Sequence, residues 1–196
     1  MPGTLLVISG ASGVGKSTVV ARLPEHVVLH FSVSATTRSA RPHELDGVHY
    51  HFVSRDEFVD MIEDGDLFEW AEYSGNLYGT PKTPLLERLA AGETVLLELE
   101  NQGALQMKAA YSEALTIFLA PPSMAELRHR LLGRGDTSTG EMRTRLEVAE
   151  LQLAHAQNTY DHVVVNDEVD GAVAKIMRIL EEHERGQDVS EHYKSN

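Results

Sequence analysis

The stretch Gly10 to Ser17 reads GASGVGKS and stands between the apolar run Leu5, Leu6, Val7, Ile8 and a segment of helical character. Its spacing, G-x-x-x-x-G-K-[ST], is that of a phosphate-binding loop. Gly10, Gly13 and Gly15 let the backbone take dihedral angles closed to other residues and come close to a polyphosphate. Successive N–H groups, from Gly10 through Ala11, Ser12, Gly13, Val14, Gly15, Lys16 and Ser17 to Thr18, then make a concavity for anionic oxygen. The positive end of the following helix stands behind them. Lys16 adds a mobile charge for β- and γ-phosphates, and the Ser17 hydroxyl is placed to ligate Mg²⁺. The strand before and the helix after are the context the motif requires, which sets aside a chance glycine-rich turn. Strand, loop and helix together predict the opening of a doubly wound α/β sheet and a chain that binds a nucleoside triphosphate.

Working outward, 196 residues make one globular unit with room for a real core. No apolar run approaches the roughly 18 residues needed to span a bilayer, and the start MPGTLLVISG lacks a basic signal-peptide region. A cytoplasmic protein without membrane partners is expected. Zero cysteines exclude disulfides and thiolate metal sites. A net charge of −13 argues against a nucleic-acid surface, because a long polyanion needs a continuous basic stripe. A small nucleotide needs only local positive charge in a cleft.

After the loop, a helix from Lys16 to about Leu23 is ended by Pro24. The segment FSVSATTRSARPHELDGVHYHFVS follows, with Arg38 and Arg41 three apart among hydroxyls, then an Asp46-Gly47 turn and an expected strand over Val48 to Val53. Paired guanidinium forks suit a phosphate, which favours a second phosphate site over a solvated basic turn. A helix is expected from about Asp56 to Glu63, followed by GDLFEWAEYSGNLYGTPK. Within it a carboxylate such as Glu69 can accept two parallel N–H bonds, as the N1–H and 2-amino edge of guanine would offer. Tyr50 and Tyr78 can hold a phosphate through their hydroxyls or stack on a ring.

Thr94 to Leu97 reads as a buried strand ending in Glu98 and Glu100, and ligands of open α/β sheets gather at the carboxyl ends of strands. Glu98 is therefore a candidate for Mg²⁺ or its water shell. Leu115 to Leu119 is a further strand. Ser123 then stands at an N-cap, with Glu126 at the capping-box position. Arg128, Arg130, Arg134, Arg143 and Arg145 fall around the loop GRGDTSTG, and Met142, Leu146, Ala149, Leu153 and Ala156 mark one helical face with Arg145 beside it. Two arginine-bearing helices joined by a glycine-rich loop suit a lid. Val163 to Val165 is the last strand, with Asn166 at its end. A final helix runs from about Val169 to Glu182, and the polar tail from His183 is expected to fray. His49 and His51 share a strand face and read as a surface pair rather than a metal site.

Taken in order, the blocks SGASGVGKST, FSVSATTRSARP, DGVHYHFVS, FEWAEYSGNLYGTP, LLELENQGA, FLAPPS, LLGRGDTS, MRTRLEVA and VVVND make a chain that resembles guanylate kinase over about Leu5 to Lys175. The resemblance implies one domain of P-loop NTPase type. It has a parallel-sheet core over 1–31, 83–122 and 157–185, a GMP-binding insertion over 32–82, a helical lid over 123–156 and a polar tail over 186–196. By the same resemblance, Ser34, Glu69, Thr80 and Glu100 read the guanine, and Arg38, Arg41, Tyr50 and Tyr78 hold the GMP phosphate, with Glu98 beside it. Lys16 and the loop amides hold ATP, Asn166 borders the adenine, and Lys16, Arg41, Arg134 and Arg145 stabilise the phosphoryl group in transfer. ATP and GMP are the implied substrates and Mg²⁺ the implied cofactor. Ala11 stands where the family usually has proline, and Glu100 where it usually has aspartate. Two other readings remain open: a ribose-bisphosphate-type phosphokinase on the same core, and a guanylate-kinase-like binding module without catalysis.

Overall fold

The computed structural model describes residues 3–132 and 139–194. Strand β1 (Leu5–Gly10) is buried along its whole length, as befits a strand covered on both faces. It pairs in parallel with β7 (Val95–Glu98), Leu5 opposite Val95 and Ile8 opposite Glu98. On its other side lies β8 (Leu115–Ala120), also parallel. Adding β2 (His30–Phe31) and β9 (His162–Val165) at the edges gives a five-stranded parallel sheet of order β2-β7-β1-β8-β9. The phosphate loop leaves β1 at the centre of that order, between neighbours that follow it late in sequence. This is the switch point where α/β sheets open a crevice.

Because side chains alternate along a strand, β1 supplies two cores. Leu5 and Val7 face α3 (Lys82–Ala90), α4 (Asn101–Ala110), α5 (Met124–Leu132) and α6 (Thr139–Thr159), through Leu85, Met107, Leu131 and Ala149. Leu6 and Ile8 face α1 (Lys16–Arg22) and α7 (Val169–Lys194), through Val19, Val173 and Ile176. The expected stripe on α6 falls as read: Met142, Ala149 and Ala156 are buried, and Leu146 and Leu153 pack against the same core.

A second sheet of order β4-β3-β6-β5 is built from β3 (Ala35–Thr36), β4 (His51–Phe52), β5 (Leu67–Tyr73) and β6 (Asn76–Pro81). The hairpin β5–β6 turns at Ser74 and Gly75, both with positive φ. Helix α2 (Arg55–Glu63) covers this sheet with Phe58 and starts on a reciprocal capping box between Ser54 and Glu57.

Three expectations change. The strand read over Val48 to Val53 is regular only at His51–Phe52, because the chain before it bonds to itself: Gly47 N–H donates to Tyr50, and both Val48 and His49 donate to Leu45. His49 therefore sits in the turn, where its Nδ1 accepts from Leu45 N–H, and does not share a strand face with His51. The last helix runs past Glu182 to Lys194. Arg178 pairs with Glu182, and Thr94 on the core donates to Glu184, so the first residues past Glu182 are held to the core. At α5, Ser123 caps Glu126 N–H as expected, but the Glu126 carboxylate turns to Arg130 Nε at 2.9 Å instead of closing the box.

Candidate active site

The phosphate loop is held from behind. Asn166 Nδ2 donates to the Val14 carbonyl at 2.8 Å, and Arg130 Nη1 donates to the same carbonyl at 3.1 Å and to that of Asn166 at 3.0 Å. Gly13 and Gly15 hold left-handed φ values of 86° and 93°. A Cβ at either would strike Leu131 or Asn166 at under 3 Å, so both glycines serve conformation and close packing together. Ala11 and Val14 are buried, and only their main-chain groups are available to a ligand. Ser12, Ser17 and Thr18 are exposed on the outer side.

Across the loop, the carboxyl end of β7 delivers two carboxylates. Ser17 Oγ donates to Glu98 Oε1 at 2.9 Å, and Lys16 Nζ to Glu100 Oε1 at 3.0 Å. Arg145 on α6 lines a cavity of about 160 Å³ together with Ser12 and Glu100, which brings α6 against the loop. Arg134 lies outside the described residues. Asn166 is 2% exposed and spends its amide on the loop, so the structure makes it a brace of the donor cradle.

The second sheet holds the remaining candidates in two groups. In the first, Arg38 forms a two-pronged pair with Glu44, both N–O distances 2.9 Å, and Glu44 also accepts from Arg41 N–H at 2.7 Å. The Arg38 guanidinium and the Arg41 amide hold the Glu44 carboxyl down at about 2. Arg38 lies over the Tyr50 ring at 5.4 Å, and Tyr50 meets Tyr78 edge-on at 6.1 Å. Burial raises the Tyr50 hydroxyl above its usual value; Tyr78 adds to the rise and the Arg38 charge opposes it. Arg41 keeps its guanidinium 65% exposed. Ser34 is half-buried beside β3, its carbonyl accepting from His51 N–H.

In the second group, Glu69 on β5 is 6% exposed and accepts from Thr80 Oγ1 at 2.6 Å. Burial pushes its carboxyl above the ordinary range, and the Thr80 hydrogen bond opposes the rise. Its Oε2 faces Gly103 in the first turn of α4, where a Cβ would stand only 2.8 Å away. A buried carboxylate with one oxygen fixed and the other facing a helix start can accept paired N–H donors.

Glu44, Gly103 and Arg130 have no assigned role in the sequence reading. Arg130 was visible as one of five clustered arginines, and Glu44 as an acid three residues past Arg41. Gly103 carried no signal beyond being a glycine inside a helix.

The family model for guanylate kinase matches residues 2–183. The chain belongs to the guanylate kinase family. A guanylate kinase of Thermus thermophilus is 50% identical over 180 residues, covering 92% of this chain and 81% of the relative. One from Frankia casuarinae is 49% identical over 181 residues, covering 92% and 98%. Among solved structures, the guanylate kinase of Anaplasma phagocytophilum superposes with a TM-score of 0.70 at 35% identity, covering 92% of this chain and 86% of that one. The matched span contains both the phosphate loop and the second sheet, so the family likeness extends over the whole candidate site.

Proposed function

We propose that this chain transfers the γ-phosphoryl group of ATP to GMP, giving ADP and GDP, with dGMP as a further acceptor. One observation carries the reading: a buried carboxylate braced by Thr80 stands near α4, while Lys16 and Ser17 of the phosphate loop stand at the strand that feeds the same helix. Family membership supports the same reaction. Residues 32–82 serve as the acceptor-binding insertion and 123–156 as the lid. The reaction belongs in the cytoplasm.

In this assignment Glu69 and Thr80 read the guanine edge with Ser34, and Arg38, Arg41, Tyr50 and Tyr78 hold the acceptor phosphate. Loop amides and Lys16 hold the donor phosphates, and Arg145, with Arg134, lies over the group in transfer. No covalent intermediate is needed, since alignment of two phosphates, charge neutralisation and exclusion of water supply the catalysis. Ser17 and Glu98 offer a hydroxyl and a carboxylate oxygen side by side at the loop, the hard donors that suit Mg²⁺ when phosphate oxygens complete its shell. When bound there, Mg²⁺ neutralises charge on the donor phosphates. A sugar-phosphate acceptor would leave Glu69 without a base to read. A non-catalytic module would have no use for an intact Lys16–Ser17 loop.

The test is ATP turnover with GMP, AMP and CMP in parallel at equal concentration. GMP is expected to be preferred by about 10²-fold or more, because wrong bases leave the buried polar groups unpaired. Equal rates with AMP would refute the assignment.

A further inference from the structure

Lys16 does not stand free in its loop. Its ammonium group donates to Glu100 Oε1 at 3.0 Å and lies 3.4 Å from the Leu99 carbonyl, and the lysine side chain is only 10% exposed while that of Glu100 is 80% exposed. An anion of the protein thus holds a position on the ammonium that a donor phosphate would take. The same carboxylate lines the cavity of about 160 Å³ between Ser12 of the loop and Arg145 of α6. That space has Arg145 on one wall and, on another, the residue that holds Lys16, and it has room for a phosphate group rather than a nucleoside. A phosphate entering it would meet a carboxylate competing for the same ammonium, so donor binding is weakened while Glu100 holds Lys16.

What Glu100 turns to is set by its place in the chain. It is the N-cap residue of α4, and its backbone is extended there. Three residues on, Gly103 faces the Glu69 carboxylate, which a Cβ at that position would approach to 2.8 Å. One helical turn therefore separates the residue that holds Lys16 from the residue that faces the buried base reader. The long, exposed Glu100 side chain can reach either way, toward the phosphate loop or toward N–H donors of a base seated against Glu69. A ligand shifts such a two-position element only if it contacts one position better than the other. A guanine's amino group would do so, because it adds a donor on the Glu69 side.

We infer that Glu100 couples the two substrate sites: with the acceptor site empty it holds Lys16, and a bound guanine nucleotide draws it away and frees the ammonium for the donor phosphates. This rests on the reading given under Proposed function. GMP then tightens ATP, and by linkage ATP tightens GMP by the same factor.

The experiment is calorimetric titration of the full chain with the non-hydrolysable analogue AMP-PNP and Mg²⁺, with and without saturating GMP, for the parent and Glu100→Gln. In the parent, GMP is expected to tighten the analogue by about tenfold, inside the usual range of coupling between sites. Glu100→Gln keeps the length and loses the charge. It should bind the analogue alone about tenfold more tightly than the parent does, with GMP then adding less than twofold. The reciprocal titration of GMP, with and without the analogue, must give the same factors. If Glu100→Gln binds the analogue as the parent does, or keeps the parent's coupling factor, the inference is overturned while the function stands. A parent that binds the analogue but no GMP overturns both.

Discussion

Gly103→Ala adds one methyl group at the point where α4 meets the buried carboxylate. The new Cβ would stand 2.8 Å from Glu69 Oε2 and 3.4 Å from its Cδ, and contacts of this kind become ordinary only from 3.4 Å outward. The oxygen must therefore retreat by about 0.6 Å. Thr80 pins the other oxygen at 2.6 Å, so the carboxylate pivots rather than slides. The working range of a hydrogen bond spans only about 0.5 Å, and one of the two bonds to the guanine edge is lost. A bond to a charged group contributes about 1.5–3 kcal/mol, which predicts a KM for GMP raised about 10- to 150-fold. The KM for ATP should move less than about threefold, since the methyl group points away from Lys16. Stability has the opposite tendency, because alanine in a helix is favoured over glycine by about 0.5–1 kcal/mol. The melting temperature should stay within about 4 °C of the parent. Steady-state kinetics with GMP varied at saturating ATP, paired with a thermal melt, decides the matter. A native melt with a GMP KM within threefold of the parent refutes the argument that Gly103 makes room for the base reader.

Lys16→Ala should lower kcat by about 10²- to 10³-fold with native circular dichroism, since among the described residues the ammonium bonds only Glu100 and the Leu99 carbonyl at the loop and packs in neither core; activity within a few-fold of the parent would remove it from the mechanism. Glu69→Gln should cost about 10²-fold in kcat/KM for GMP and abolish the loss of GMP activity expected of the parent as pH falls through the raised Glu69 value. Its folded-state carboxyl lies above the ordinary 4.5, so the ionised group costs stability at neutral pH and the cost disappears on acidification. Glu69→Gln should therefore melt no lower than the parent at pH 7, with the gap closing as the pH falls from the raised Glu69 value toward 4.5 and closed below it, and a lower melt at neutral pH would contradict this. Arg130→Met removes donors from the Val14, Asn166 and Asp167 carbonyls. A loss of about 2 kcal/mol, read as a melt about 4–8 °C lower, and a raised KM for ATP are expected; an unchanged melt with only kcat reduced would make Arg130 a ligand contact rather than a brace.

The parts of the fold that could be read from sequence are those whose signal is local. Leu5 to Ile8, Leu115 to Leu119 and the α6 stripe carry their burial in consecutive or periodic apolar residues. The hairpin β5–β6 was hidden because Glu69, a charged residue, occupies an inward position and breaks the apolar alternation on which a strand is recognised. Strands β2, β3 and β4 are two residues long, too short for any period. In the site, the phosphate loop was legible because its chemistry lies within eight consecutive residues. Glu44 was not, since its pairing with Arg38 is fixed by a turn six residues long. Arg130 reaches partners 116 and 36 residues away, a relation that exists only after folding. The Lys16–Glu100 contact crosses 84 residues and likewise needs the sheet to bring β1 and β7 together.

The short segment from Glu98 to Gly103 touches Ser17 through its first residue and Lys16 through Leu99 and Glu100, and its last residue faces the Glu69 carboxylate. Anyone redesigning the enzyme to accept a different base would begin at Glu69 and its neighbours, and would soon have to alter this segment. Changes at Glu98 to Glu100 also alter the contacts of Ser17 and Lys16 in the phosphate loop. Recognition of the base and use of the donor are thus inherited together, and variants selected for one will carry side effects in the other. A library that varies 98–103 as a block, screened for both substrates at once, matches that linkage better than single substitutions made on the acceptor side alone.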